Sequence, residues 1–303
     1  MKLHTRAVVA AAVTLAVLAP VAPAAAEGHG APSAIAGAHP RAGRVLAVPG
    51  LVNARDIGGY ATYDGKSTRW GVAYRTESLS KLTADGVAAL AGLGLDEAID
   101  LRTGPEVQAD GADQLPAGVT SVPLAVDDTS LFAFMGQVVR SKDPVYQEQQ
   151  LGGGKAEERM ESLYRGFVTN SANRAALGAA VKRIASSSKP VLFHCSSGKD
   201  RTGVLAFSVL RAVGVPESTA QGDYLLSNAL RAGVDKALRD QVKAAGYMEN
   251  PDLLIPLQEV RREYLAAFVD EATADYGSFG KFLTAGLGLD AATLAKLRGR
   301  LVG

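Results

Sequence analysis

Hydrophobic and polar residues follow two alternating patterns along the chain from about residue 45 onward. Short apolar runs bounded by Gly, Pro or charged residues predict strands. These runs cover residues 72–75, 98–102, 119–124 and 190–194. The intervening segments carry apolar residues at helical spacing, and strands that alternate with helices are typical of an α/β domain.

Capping residues mark the start of several predicted helices. Thr83 is a typical N-cap, and Thr103-Gly104-Pro105-Glu106 has the composition of a capping box with proline near the helix start. Ser171 is predicted to cap a helix over residues 172–184. Further helices are predicted over residues 156–167, 202–213, 257–274 and 291–301.

The pattern weakens between residues 127 and 154, where Gly152-Gly153-Gly154 predicts a mobile loop. From residue 217 to residue 302 it is almost entirely helical. We therefore expect one α/β domain whose C-terminal half is helical.

The first residues have the organisation of an export signal. Lys2 and Arg6 form a positive region, an apolar stretch follows over residues 7–18, and Ala24-Ala25-Ala26 offers a cleavage site before Glu27. The stretch is shorter than the roughly 20 residues that span a bilayer, which favours a cleaved signal over an anchor. We predict a signal peptide over residues 1–26, a flexible leader over 27–43 and a folded domain over 44–303. The protein is expected to be secreted, with no stable membrane insertion.

The charge balance narrows the classes of partner. The formal net charge is +1, and removal of Lys2 and Arg6 leaves 30 basic and 31 acidic residues, a net charge of −1. A nearly neutral protein has no general attraction for nucleic acid, so we predict no nucleic-acid partner. Any anion must then bind at a local site. Composition does not define the oligomeric state.

The single cysteine, Cys195, cannot form an internal disulfide, and a buried cysteine is often only a small hydrophobe. Its position argues for chemistry. Cys195 lies between the apolar strand of residues 190–194 and a helix predicted from Thr202. A strand, a glycine-containing loop and a helix N-terminus together form an anion site, and the same positive potential, with Arg201 nearby, favours a reactive thiolate.

Residues 194–203, which we term the cysteine loop, have the spacing of a phosphate cradle. Five residues separate Cys195 from Arg201, so the backbone can wrap one tetrahedral oxyanion while the planar guanidinium binds its far oxygens. The Thr202 hydroxyl is placed to stabilise the thiolate when it leaves, and the two glycines relieve crowding. The residues predicted to bind phosphate are Ser196, Ser197, Gly198, Lys199, Thr202 and Gly203.

His194 is predicted to orient the cysteine loop by hydrogen bonding. A zinc site is not expected, because His194 and Cys195 are adjacent and no second ligand pair occurs among only four histidines. We therefore predict neither a metal nor a cofactor.

The motif His194-Cys195, five residues, Arg201-Thr202 resembles the active-site pattern of tyrosine phosphatases and of their dual-specificity and lipid-phosphatase relatives. Six blocks of sequence resemble one subfamily, the atypical bacterial phosphatases of the secreted mycobacterial PtpB type. These blocks are residues 53–59, 75–80, 100–103, 198–203, 223–228 and 276–278. The resemblance covers nearly all of the chain after the leader.

This resemblance implies a tyrosine phosphatase-like fold, with a central, mostly parallel sheet flanked by helices. It implies hydrolysis of phosphotyrosine, and often of phosphoserine, phosphothreonine or phosphoinositides, without a metal. The expected partner is thus a phosphorylated protein or a phosphoinositide. By analogy, a mobile helical lid would lie between Arg231 and Leu265.

Hydrolysis of a phosphate ester needs a proton donor for the leaving oxygen. The single tryptophan, Trp70, is not followed by proline, so the Trp-Pro-Asp loop of many tyrosine phosphatases is absent. Asp200 is the first candidate, and an ion pair with Arg201 or Lys199 is its structural alternative. The remaining candidates are Asp100, which ends a strand, and then Asp127 and Asp128.

Three further cationic residues are candidates for contact with the substrate. Lys199 suits a multiply charged head group, with simple solvation at the mouth of the site as the alternative. Arg55 and Arg102 are candidates for lining the mouth. Their structural alternatives are ion pairs with Asp56 and Glu106, respectively.

Three other functions remain open. Lys199 suggests a phosphoinositide or inositol phosphate phosphatase. A rhodanese-like sulfur transferase also uses a loop cysteine, although such loops are usually shorter. A phosphate-binding module without turnover is the non-enzymatic alternative, but the residues needed for turnover are all present: Cys195, Asp200, Arg201 and Thr202.

Overall fold

The computed structural model describes residues 43–303 of the chain. The predicted signal peptide and all but the last residue of the predicted leader lie outside the described residues. Among the described residues, no helix combines the length and apolar character that crossing a membrane requires.

Five short strands form one sheet in the order β1-β2-β5-β3-β4. Their bounds are β1 Arg55–Asp56, β2 Ala73–Thr76, β3 Glu97–Asp100, β4 Thr120–Pro123 and β5 Val191–His194. β1 runs antiparallel to β2, and the other neighbouring strands are parallel. The prediction of a mostly parallel sheet is confirmed, and each of the four predicted strands lies within two residues of its predicted bounds.

Helices occupy most of the remaining chain. Seven of them lie between β2 and residue 212. They are α1 Ala84–Ala91, α2 Gly104–Asp110, α3 Leu131–Ser141, α4 Pro144–Leu151, α5 Lys155–Thr169, α6 Ser171–Ser186 and α7 Arg201–Ala212. The C-terminal part contains α8 Glu217–Ala244, a 3-10 turn at Pro251–Leu254, α9 Ile255–Gln258, α10 Arg262–Tyr276, α11 Phe279–Lys281, a π turn at Phe282–Gly286 and α12 Ala291–Leu301.

The central strand β5 is buried on both faces, which explains its continuous apolar sequence. Successive side chains of a strand point to opposite faces. Val191 and Phe193 therefore join the large core formed with the helices on one side, whereas Leu192 joins a smaller cluster with Leu90 of α1 on the other. This double burial holds the end of β5, and hence the cysteine loop, in a fixed place.

Two helices that the sequence pattern did not indicate, α3 and α4, lie between residues 127 and 151, and the predicted loop at Gly152-Gly153-Gly154 is a turn between α4 and α5. α3 buries only Leu131, Val138 and Val139, so its apolar stripe is too sparse to stand out in the sequence. Asp143 caps α4 by accepting from the backbone N–H of the next turn.

Two predicted helix boundaries also differ from the structure. Asn170, rather than Ser171, caps α6, and its Oδ1 accepts from the backbone N–H of Ala172 at 2.9 Å. The helix predicted over 257–274 is interrupted at residues 259–261. There the Asn228 side chain binds both the N–H and the carbonyl of Val260 at 2.8 Å, in place of helical partners.

Candidate active site

Three parallel strands end side by side at one edge of the sheet. In the strand register, His194 of β5 lies opposite Thr76 of β2 and Asp100 of β3. The residues that follow these strands are therefore brought together, which is the usual place for a site in a parallel sheet. The cysteine loop continues directly from His194 at this edge.

The backbone carbonyls of the cysteine loop are bound from the outer side of the loop. Ser196 O accepts from the Ser78 N–H at 3.1 Å, and Ser197 O accepts from Arg231 at 3.0 Å. Gly198 O accepts from both Asn53 and Arg75; these four hydrogen bonds are between 2.9 and 3.1 Å long. Since an N–H and its preceding carbonyl point in opposite directions across a peptide unit, the loop N–H groups are turned toward the inner side, where an anion would lie.

We term the side chains of Asn53, Arg75, Asp223 and Arg231 the outer cage. Asp223 of α8 accepts from Arg55 at 3.0 Å and from Arg75 at 2.6 Å, and all three side chains are almost fully buried. Burial would raise the pKa of Asp223, but the two guanidinium charges hold it far below its usual range. The cage therefore connects β2 and α8 to the back of the loop by charge-assisted hydrogen bonds.

Gly198 occupies a position that no other residue fits well. Its φ is +67°, in the left-handed region, and a Cβ there would lie 2.3 Å from the Thr76 carbonyl oxygen. Gly203 instead faces α8, where a Cβ would lie 2.9 Å from the Tyr224 ring. Gly203 thus allows α7 and α8 to pack closely.

Cys195 is 2% exposed and lies at the base of the loop, directly after β5. The neighbouring Thr202 hydroxyl is buried, and it has no hydrogen-bond partner among the described residues. A buried hydroxyl without a hydrogen-bond partner is rare. This one is close to Cys195 in sequence, which fits the prediction that it donates to the thiolate when the thiolate leaves.

Arg201, the first residue of α7, is held by a side chain that the sequence prediction assigned to another arginine. Its two terminal nitrogens donate to the two carboxylate oxygens of Glu106 at 2.6 and 2.5 Å. The Ser196 hydroxyl donates to the same carboxylate at 2.7 Å. This bidentate pair fixes the plane of the guanidinium before any substrate arrives.

The charges of this pair are stable. Burial would raise the pKa of Glu106, but hydrogen bonding to Arg201 and its positive charge lower that pKa to about 2. Burial would lower the pKa of Arg201, but hydrogen bonding to Glu106 and the charges of Cys195 and Glu106 raise it. Both side chains are therefore ionised throughout the physiological range.

Lys199 and Asp200, two neighbouring residues of the cysteine loop, form an ion pair. The Lys199 ammonium donates to both Asp200 oxygens, at 2.8 and 3.0 Å, and Lys199 is only 4% exposed. Tyr164 of α5 donates to Asp200 Oδ1 at 2.8 Å. The ion pair suggested as a structural alternative for Asp200 is thus present with Lys199, and solvation of Lys199 at the mouth is not observed.

His194 and Arg102 belong to a network behind the loop. The His194 ring contacts the Cys195 carbonyl at 3.3 Å through Nδ1 and Asp113 at 3.0 Å through Nε2. Arg102 donates to Asp100 and to Asp113, each at 2.8 Å. Asp100, Asp113 and His194 place ligand atoms within 4.8 Å of one another, but Arg102 already supplies the positive charge there.

Neither Arg55 nor Arg102 lines the mouth of the site, because both are buried in ion pairs. Their partners also differ from the predicted ones. Arg55 binds Asp223, and the Asp56 carboxylate accepts from the backbone N–H of Gly58 and Gly71 at 2.7 Å instead. Arg102 binds Asp100 and Asp113, as described above, and leaves Glu106 to Arg201.

Asp128, a third-ranked proton donor, lies in the loop before α3. It is 8% exposed, and one of its oxygens accepts from the Phe132 N–H at 2.9 Å. Burial raises its pKa, and the attraction of Arg201 offsets this only in part. Asp127 lies beside it, and its backbone is held by Asn173.

Sequence reasoning missed three residues that hold the loop, Asp113, Tyr164 and Arg231, and it assigned Glu106 to Arg102 instead of Arg201. Glu106 was visible as part of the capping box, and its position after β3 places it at the same sheet edge as Cys195. The box is present, since Glu106 accepts from the Thr103 N–H at 2.8 Å. No comparable local signal exists for Tyr164 or Arg231, whose sequence patterns are those of core and helix-surface residues.

The parallel sheet, the amide-lined loop and the pair formed by Cys195 and Arg201 define a protein of the cysteine-dependent phosphatase class. A family model described as the tyrosine phosphatase family matches residues 46–303. That is most of the chain, and the chain belongs to this family. The family and enzyme class predicted from the motifs are thereby confirmed.

Curated relatives of similar length support the same assignment. The triple specificity protein phosphatase PtpB of Mycobacterium tuberculosis is 32% identical over 280 residues, which are 86% of this chain and 99% of that protein. A protein of Cupriavidus necator named as a tyrosine-protein phosphatase is 30% identical over 271 residues, 88% of this chain and 92% of that protein. A tyrosine-protein phosphatase of Nostoc commune is 29% identical over 156 residues, half of this chain.

Proposed function

We propose that the protein hydrolyses phosphotyrosine in proteins through a phosphocysteine intermediate, and that it also accepts phosphoserine and phosphothreonine. One observation carries the proposal. The loop presents its amides to one side, because its carbonyls are bound on the other, and Arg201 is fixed beside them by Glu106. This arrangement matches the charge that develops on a transferring phosphoryl group.

In the first step, the Cys195 sulfur attacks phosphorus, and the bond between phosphorus and the tyrosine oxygen breaks as the sulfur–phosphorus bond forms. The loop amides and Arg201 bind the three remaining phosphoryl oxygens. A carboxylic acid donates a proton to the departing phenolate.

In the second step, water attacks phosphorus and the sulfur–phosphorus bond breaks. The carboxylate formed in the first step takes one proton from that water, which restores the acid and releases phosphate. The thiolate is the leaving group, and the Thr202 hydroxyl donates to it, a role consistent with the lack of any other partner for that hydroxyl among the described residues.

We assign the proton transfer to Asp200. It lies next to Arg201 in the cysteine loop, and its side chain is 14% exposed. Asp100 is less suited, because it belongs to the network with Arg102, Asp113 and His194, and its side chain is less exposed, at 8%. Asp128 is the alternative to be compared in experiment.

Replacement of the nucleophile tests the mechanism. Cys195→Ser is expected to lower kcat/KM for 4-nitrophenyl phosphate by about 10⁴-fold or more, because the alkoxide is rarely formed at neutral pH. Ser208→Ala, a small change at another buried position of the cysteine-loop helix α7, is the matched control and keeps activity. Activity of the Cys195→Ser protein close to that of wild type would refute the mechanism.

A substrate panel tests the specificity. The name of the M. tuberculosis relative supports a wider range than phosphotyrosine alone. The panel therefore contains phosphotyrosine, phosphoserine and phosphothreonine peptides and a phosphoinositide, with wild type and Lys199→Ala. Since Lys199 is paired with Asp200, the structure gives no separate support to a lipid substrate, and we expect the phosphotyrosine peptide to be hydrolysed fastest.

Secretion is part of the proposal and is supported by the sequence of residues 1–26 alone. Expression of the full chain in an exporting bacterium, followed by N-terminal sequencing of protein from the medium, tests it. The expected mature N-terminus is Glu27. Retention of the intact chain in the cell would contradict the prediction.

A further inference from the structure

Three buried tyrosines form a wall next to Asp200, and the mechanism above does not use them. Tyr164, Tyr224 and Tyr264 come from α5, α8 and α10, and each is at most 1% exposed. The ring of Tyr164 lies 6.2 Å from that of Tyr224 and 5.9 Å from that of Tyr264. Tyr164 is therefore held by packing on two sides.

The hydroxyl groups of this wall form a directed chain that ends on Asp200. Tyr224 donates to the Tyr164 oxygen at 2.8 Å, and Tyr164 donates to Asp200 Oδ1 at 2.8 Å. A phenol has one proton to donate, so Tyr164, once it accepts from Tyr224, directs its own proton at the carboxylate. Burial, followed by the charge of Asp200, raises the pKa of Tyr164 well above its usual range, so the group stays a donor at working pH.

We propose that Tyr164 is a positioning residue for proton transfer by Asp200, an inference that rests on the proposed function. Its hydrogen bond occupies Oδ1 and sets the plane of the carboxyl group. The Lys199 ammonium contacts both oxygens, Oδ2 at 2.8 Å and Oδ1 at 3.0 Å, so the carboxyl group is held between Tyr164 and Lys199. Tyr224 acts one step further away, by fixing the direction in which the Tyr164 hydroxyl donates.

A purely structural hydroxyl is the competing explanation, and the two differ in a measurable way. A misplaced proton donor slows the release of poor leaving groups but hardly affects good ones, which depart without protonation. A structural defect slows all substrates alike. The test is therefore kcat/KM, which covers the steps up to departure of the leaving group, for phenyl phosphate compared with 2,4-dinitrophenyl phosphate, measured on the full folded domain.

Tyr164→Phe removes the hydroxyl and keeps the ring. We expect kcat/KM for phenyl phosphate to fall by about 10- to 100-fold, as for loss of a hydrogen bond to a charged group, and kcat/KM for 2,4-dinitrophenyl phosphate to change by less than about threefold. Asp200→Asn is expected to show the same selectivity, with a larger loss on phenyl phosphate.

Tyr264→Phe is the matched control. It makes the same change in a buried tyrosine of the same wall, but the Tyr264 hydroxyl donates to the Pro256 carbonyl at 3.1 Å and not to Asp200. We expect it to change both rates by similar factors. Tyr224→Phe, which leaves the direct contact with Asp200 in place, should show the selectivity of Tyr164→Phe at about two- to fivefold, and it replaces Tyr164→Phe if that variant does not fold.

Three results would overturn the inference. The first is that Tyr164→Phe slows both substrates equally, and the second is that it slows neither. The third is that Asp200→Asn shows no leaving-group selectivity. If Asp128→Asn showed that selectivity instead, the proton donor would be Asp128. Failure of the wild type to hydrolyse either ester would instead refute the proposed function. The two failures are thus distinguishable.

Discussion

The inner and outer sides of the cysteine loop differ in where their residues come from. The inner side draws its reacting groups, Cys195, Asp200 and Arg201, from seven consecutive residues between β5 and α7. The outer side is held by Asn53, Arg75 and Arg231, which lie as far as 145 residues from the loop atoms that they bind, and by Asp223 of α8, which binds Arg75.

This difference separates chemistry from support. Reacting groups must face one small anion, and a short loop between a strand and a helix achieves this locally. A loop of unpaired amides would not keep that shape by itself, so buried charges from distant elements hold its carbonyls. Changes on the outer side should therefore affect stability first, and changes on the inner side should affect turnover first.

The largest stability effect is expected from Asp223→Asn on the outer side. This change leaves Arg55 and Arg75 buried without a counter-charge, which should lower the free energy of unfolding by about 3–5 kcal/mol. Urea unfolding measures it. Asp240→Asn is the control on the same helix; its partner Lys236 is 69% exposed, and the expected loss is under about 1 kcal/mol. If Asp223→Asn and Asp240→Asn lowered the free energy of unfolding equally, the ion pairs of the outer cage would contribute no more than a surface pair.

On the inner side, Arg201→Lys should lower kcat/KM for 4-nitrophenyl phosphate by about 10²- to 10³-fold, because lysine cannot reproduce the bidentate fork toward phosphate or toward Glu106. Steady-state kinetics measure this. Arg183→Lys changes a half-exposed arginine away from the loop and should leave kcat/KM unchanged. A comparable loss in the control would show that the effect is not specific to the site.

Acid should weaken the ion pair between Glu106 and Arg201. The pKa of Glu106 is about 2 in the folded protein, below its ordinary 4.5, so its ionised form stabilises the fold above pH 4.5. That contribution, of the order of 3 kcal/mol, is lost as the pH falls from 4.5 toward 2. Urea unfolding of wild type and Glu106→Gln across this range should show a shallower loss in the variant. Parallel curves would contradict the assignment.

A further comparison concerns the shape of the loop. Gly198→Ala introduces both an unfavourable backbone angle and a contact 2.3 Å from the Thr76 oxygen. Gly65→Ala introduces a similar angle, φ +81°, with nothing within 4 Å. We expect a loss of about 1 kcal/mol for Gly65→Ala and about 1–3 kcal/mol more for Gly198→Ala, measured by urea unfolding. Equal losses would mean that the loop can move away from β2.

Much of the fold was predictable because local patterns and burial agree. The apolar run at residues 190–194 predicted β5, and the capping residues Thr83 and Thr103 correctly marked α1 and α2. The failures occurred where tertiary partners decide the backbone. The break at residues 259–261 depends on Lys199 and Asn228, which bind the carbonyls of Glu259 and Val260 there.

The candidate site shows the same division. Cys195 and Arg201 were found from their spacing, because a phosphate cradle requires that spacing within one loop. Arg55, Arg102 and Glu106 were noticed but given the wrong neighbours. Ion-pair partners depend on which sheet edges and helix faces meet, and sequence distance does not report that.

The sequence by itself determined the strand, the loop, the helix and the nucleophile with its arginine, because neighbouring residues along the chain are enough to build an anion site. Only the tertiary structure decided which carboxylate fixes Arg201, that Lys199 is paired with Asp200, and that a tyrosine from α5 binds Asp200 as well. Those contacts join elements that are distant in sequence, and they exist only once the core has brought the elements together.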